Sequence, residues 1–100
     1  FVSQLRVHAR PGDTLVAISA SGNSPNLLEA VRWFKANGGG AVMGILGFDG
    51  GRLRELCDDS ILVETPKGEY GPVEDVHMVM DHLTHAWLSQ TVLRERKISI

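Results

Sequence analysis

Two stretches of this chain carry residues whose types and spacing could do chemistry. The first is Ser19-Ala20-Ser21-Gly22-Asn23-Ser24-Pro25-Asn26, with three hydroxyls within six positions. Hydroxyls and bare backbone N–H groups bind anions, and Gly22 lets the main chain approach one with no Cβ in the way. The apolar run Thr14 to Ser19 (TLVAIS) precedes this segment and a helical pattern follows it. A strand therefore hands over to a helix N-terminus here, a position that favours negative charge. The plain alternative is a Ser/Asn turn with a capping serine; the position between a buried strand and a helix favours the anion site. The segment has neither the Gly-Lys-Ser/Thr of a nucleotide P-loop nor the glycine fingerprint of a dinucleotide site, so no nucleotide cofactor is expected.

The second stretch gathers Glu74, Asp75, His77, Asp81, His82 and His85. Helical spacing puts Asp75, Met78, His82 and His85 on one face and makes Asp81 and His85 an i, i+4 pair. Carboxylates and imidazoles can shuttle protons or ligate a divalent cation. Acidic residues in a first helical turn also suit the helix dipole, and histidines beside carboxylates form surface ion pairs. The His-Glu-x-x-His spacing of a zinc protease is absent. The residues alone leave both readings open.

The elements that must position these groups follow from the apolar pattern. Val2, Leu5 and Ala9 suggest a weak helix, stopped by Pro11-Gly12-Asp13. TLVAIS reads as a parallel strand covered on both faces. Leu27, Leu28, Val31 and Phe34 mark a helix, with Ser24 or Asn23 as N-cap, Pro25 in its first turn and Asn37-Gly38 at its end. Ala41 to Leu46 is a second strand, Asp49-Gly50-Gly51 a turn, and Leu53, Leu56 and Cys57 a short helix. Ser60 to Glu64 is the third strand and Pro66 to Pro72 a loop. The longest helix is expected from about Val73 to Leu93, and its stripe of Val76, Val79, Met80, Leu83, Ala86 and Trp87 reads as a packing surface, within the domain or between subunits, rather than a cofactor box.

This alternation is the order of an α/β, doubly wound parallel sheet with right-handed crossovers. Three parallel strands leave two open edges, and the chain starts at Phe1 rather than Met. The expectation is the C-terminal half of a larger domain whose remainder precedes Phe1. The hydrophobic fraction of 43% suits one small α/β unit, and the net charge of −2 gives no footprint for nucleic acid. The single cysteine, Cys57, reads as a buried structural thiol. With no run apolar enough for a signal peptide or membrane span, a soluble cytoplasmic protein is expected.

The segment GDTLVAISASGNSPNLLEAV resembles the second half of the sugar isomerase (SIS) domain, whose signature loop reads Ser-x-Ser-Gly-x-Ser/Thr. The resemblance runs on through GGAVMGILGFDGG and YGPVEDVHMVMDHL, so it covers about residues 10 to 90. The last of these segments is similar in particular to phosphoheptose isomerases. The resemblance implies a flavodoxin-like αβα sandwich, of which residues 1–100 would form a partial SIS domain. It implies a sugar phosphate held by Ser19, Ser21, Gly22, Asn23 and Ser24, with Ala20 where those isomerases often have Thr. It also matches Glu74 and His82 to a Gln and a His that serve the active site, in some members as zinc ligands. Zinc is thus the implied cofactor, with Glu74 and His82 as metal ligands and His82 as the catalytic imidazole.

Glu74 departs from the family pattern and lowers the charge of such a site by one. The other ligands and a general-base Glu are expected from an earlier helix outside these residues. The implied activity is aldose–ketose isomerisation of sedoheptulose 7-phosphate by a homo-oligomer, a dimer or tetramer. The alternative is a non-catalytic phosphosugar sensor, or an adaptor for a protein partner such as the replication initiator.

Overall fold

The computed structural model describes residues 1–96. Its elements are α1 (Val2–His8), β1 (Leu15–Ser19), α2 (Pro25–Ala36), β2 (Val42–Gly47), α3 (Gly51–Leu56), β3 (Asp59–Val63) and α4 (Tyr70–Glu95). The strands form one open parallel sheet in the order β1-β2-β3, with Ser19 beside Leu46 and Leu46 beside Leu62. The α/β class and every expected element are present, with strand ends displaced by a single residue.

One face of the sheet is well covered. Ala17, Val42 and Leu46 meet Leu28, Val31 and Phe34 of α2 and Leu53 of α3. Val31, Leu46 and Leu53 are wholly removed from water. The helix α2 reaches this layer because its apolar residues recur at helical spacing. Ser24 is its N-cap and Pro25 its first residue, where a missing N–H costs nothing. At the other end Asn37 is the C-cap, Gly38 turns left-handed with φ 82°, and the Gly39 N–H closes on the Phe34 carbonyl at 3.0 Å.

The other face differs from the sequence expectation. Among the described residues only α4 covers it, lying over β2, and Val73 and His77 are its sole buried residues. Val73 seats against Gly47, where a side chain would meet the valine methyls. Because α4 lies over β2, the outward residues of β1 stay open: Val16 is 47% exposed and Ile18 42%. The strand expected to be covered on both faces is covered on one. Its free edge borders an apolar groove of about 380 Å³ between α1 and α2.

The apolar stripe of α4 is likewise exposed within this chain. Val76, Val79, Leu83 and Trp87 all face solvent, Trp87 at 64%, and Met80 is half-buried. For Leu83 and Trp87 the reason is length. A 26-residue helix spans ~39 Å, whereas a five- or six-residue strand spans about 17–20 Å. Past its first turns α4 has left the sheet, which raises the radius of gyration to 14.7 Å against about 13 Å for a compact chain of this size. The helix also begins at Tyr70 rather than Val73. Pro72 fits inside that first turn because N–H groups there have no helical partner.

Among the described residues no helix is long and apolar enough to cross a membrane. Leu46 of β2 is wholly buried in the core under α2 and α3, so Leu46→Ala should cost about 2–5 kcal/mol of stability. Urea denaturation of the complete protein measures this, and a loss within ~0.5 kcal/mol would place the core elsewhere.

Candidate functional site

The loop after β1 is shaped by its own side chains. Ser19 is buried at 7% exposure, and its Oγ accepts the Gly22 N–H at 3.0 Å. The Ser24 hydroxyl lies 3.4 Å from it, and Ser21 Oγ accepts the Asn23 N–H at 3.2 Å. Gly22 has φ 69°, a left-handed conformation, and a side chain on it would run into the Gly50 carbonyl. That close approach ties the loop to α3. The Gly22 carbonyl accepts from Leu53 N–H at 2.9 Å, and Asn23 Oδ1 accepts from Arg52 N–H at 2.9 Å.

These bonds largely use the loop's acceptors and leave donors free. Ser21 and Ser24 donate their N–H groups to no other group among the described residues. The serine hydroxyls that accept internally can still turn a proton outward. With the positive end of α2 behind them, they can hold an anion at the carboxyl edge of the sheet, the usual ligand position in open α/β folds. Of the loop residues expected to bind, Ser19 is a buried pin, Asn23 braces α3, and Ser21 and Ser24 remain partly accessible.

Beside the loop lies an open cleft of about 500 Å³, within the ordinary range for a small-molecule site. Ser19 and Ala20 form one wall, and Glu74, His77, Met78 and Asp81 of α4 form the other. The structure thus brings Glu74 to the anion loop. His82 is exposed and is not part of the cleft wall, and Asp75 and His85 are exposed as well. Sequence reasoning assigned no role to His77 or to Asp81 alone, yet both line the cleft. A findable signal existed: Val73, His77 and Asp81 recur every four residues, one face of a helix whose first member is apolar. Tyr70 stacks edge-on against Phe48, with ring centroids 4.9 Å apart at 82°. The pair borders a smaller cavity with Ser21, Asn23 and Lys67.

Among the described residues no three His, Cys, Asp or Glu side chains group to hold a metal ion. Glu74 and His82 are eight positions apart, ~12 Å of helix rise, and only Glu74 reaches the cleft. Two donors so placed fall short of the three protein ligands usual for catalytic zinc. The residues of this chain do not by themselves fit that metal.

No family model matches the chain. It is 37% identical over 83 residues to the phosphoheptose isomerase of Rhodospirillum rubrum, covering 83% of this chain and 43% of that protein. It is 34% identical over 100 residues to the phosphoheptose isomerase of Aneurinibacillus thermoaerophilus, covering all of this chain and 49% of that protein. The chain is a homologue of phosphoheptose isomerases. It spans about half the length of the curated relatives it matches. The fold agrees: phosphoheptose isomerase GmhA from Neisseria gonorrhoeae superposes with a TM-score of 0.70 at 33% identity, over 83% of this chain and 46% of that one. An open parallel α/β sheet forming part of a larger domain is what the phosphoheptose isomerase comparison supports.

Cys57 is half-buried rather than sealed. Burial pushes its thiol above the ordinary value, Lys35 pulls it down and Asp58 adds to the rise. A raised value keeps the thiol protonated near neutrality, so iodoacetamide should modify Cys57 more slowly than free cysteine at pH 8; equal rates would contradict the burial. The loop gives a second expectation. Ser19→Ala strands the buried Gly22 N–H and should cost about 1–3 kcal/mol. Ser24 makes no side-chain capping bond to α2, so Ser24→Ala should stay within ~0.5 kcal/mol. Thermal denaturation of both variants checks the contrast.

Proposed function

We propose that this chain forms the phosphosugar-binding part of a phosphoheptose-type isomerase that interconverts sedoheptulose 7-phosphate and its aldose. The observation that carries this reading is the joining of the anion loop and the Glu74–Asp81 face of α4 in one cleft. It is supported by similarity to proteins named phosphoheptose isomerase over most of this chain. In this reading the free N–H groups of Ser21 and Ser24 and the loop's serine hydroxyls take the phosphate, and the sugar lies along the cleft toward α4. The isomerisation moves a proton between C1 and C2 through an enediol. Such a transfer needs a carboxylate base and a group that handles charge on the two oxygens.

The base is expected from an earlier helix outside these residues, while Glu74 stands at the cleft where the family pattern has a Gln. His82 is the implied imidazole, and its exposed position fits a role completed by residues outside this chain. Zinc belongs to the same proposal only with ligands contributed from elsewhere. The exposed apolar stripe of α4 supports a homo-oligomer, and the single thiol suits a cytoplasmic location.

The complete protein should convert sedoheptulose 7-phosphate to an aldose phosphate, and His82→Ala should lower kcat by roughly 10²–10⁴-fold. Phosphosugar binding with no aldose formed, with or without added zinc, would replace the isomerase with a sensor.

A further inference from the structure

His77 is the one buried histidine, 6% exposed on a helix whose other polar residues near the cleft face solvent. Its Nε2 lies 2.9 Å from the carbonyl oxygen of Leu46. A carbonyl only accepts, so Nε2 carries the proton. In the neutral ring Nδ1 is then left with a lone pair. Among the described residues Nδ1 has no partner, yet no sealed side-chain nitrogen or oxygen there lacks one. Nδ1 therefore meets open space, and His77 lines the cleft beside Ser19.

We propose that His77 contacts the ligand, its ring clamped to the end of β2 by the Leu46 carbonyl while Nδ1 accepts a hydrogen bond from a sugar hydroxyl. This inference rests on the phosphosugar reading of the cleft and deepens it. The α4 wall then offers acceptors: the carboxylates of Glu74 and Asp81, and Nδ1 of His77 between them in sequence. A wall of acceptors beside a loop of donors matches a polyhydroxylated chain with an anionic end. The phosphate accepts from the loop and the hydroxyls donate to α4. A carbonyl clamp also fixes the ring's tautomer, so Nδ1 is presented without a conformational search.

The test uses the complete protein and two ligands, sedoheptulose 7-phosphate and inorganic phosphate. Nitrogen-15 NMR of the imidazole should show the Nε2–H tautomer. Sedoheptulose 7-phosphate should shift the Nδ1 resonance and inorganic phosphate should leave it in place. An imidazolium signature, or an Nδ1 resonance unmoved by the sugar phosphate, would overturn the proposal. In calorimetry, His77→Phe keeps a flat ring and removes both nitrogens. It should weaken sedoheptulose 7-phosphate by roughly five- to tenfold, one neutral hydrogen bond, and leave inorganic phosphate unchanged. Equal weakening of both ligands would mean that His77 acts through the fold, and no weakening of either would mean no contact; each result overturns the proposal. Should His77→Phe not fold, the NMR experiment on the unaltered protein decides alone. Failure of the unaltered protein to bind either ligand is a separate result, which removes the phosphosugar reading and this inference with it.

Discussion

The site depends on one close approach, the backbone of Gly22 against the backbone of Gly50. No side chain fits between them, and Gly22 adopts a left-handed conformation there. The contact aligns the Gly22 carbonyl with the Leu53 N–H and the Asn23 side chain with the Arg52 N–H. Two loops at the carboxyl edge of the sheet thereby become one rigid unit. The loop after β1 then needs few of its N–H groups for its own structure. An anion site gains most from donors held in place before the ligand arrives, because no ordering cost remains to be met on binding.

The far side of the sheet follows a different logic. A single helix covers it, anchored by Val73 in the space left by Gly47 and by His77 on the Leu46 carbonyl. Both anchors lie in the early turns of α4 and both engage β2. They set the height and rotation of the turns that carry Glu74 and Asp81, so the cleft wall is a consequence of how α4 is pinned. The same anchoring leaves Val16 and Ile18 of β1 open and lets the rest of α4 run beyond the sheet. Apolar surface of this extent is uncommon on a free-standing monomer, consistent with a chain that spans about half of its relatives' length.

Polar residues in this fold divide by where their bonds point. Ser19 and Asn23 carry groups suited to a ligand, yet their acceptors are taken up by backbone N–H groups of the protein and hold the loop. Ser21 and Ser24 share the same composition and remain partly accessible. On α4, His77 turns inward and His82 outward, although the two belong to the same dense run. Residue type set what each group could do, and only its rotation about a strand or helix axis decided whether it reached the cleft.

Much of this was legible in the sequence. Short β-rich runs alternating with helical periodicity specify a parallel α/β sheet, because each pattern buries its apolar face in one way. Gly22 among serines, followed by Ser24-Pro25, marks a strand-to-helix turn with free N–H groups, a local matter of backbone sterics and missing donors. What Val76, Leu83 and Trp87 pack against was not legible, because periodicity shows that a helix has an apolar face and not what lies opposite it; within this chain they face solvent. The inclusion of His77 and Asp81 in the cleft was hidden for a related reason. Their positions depend on the angle at which α4 crosses β2, which is set by contacts at Gly47 and Leu46 some thirty residues away in sequence. Local chemistry determined the loop; the long-range packing of α4 decided which of its side chains the loop faces.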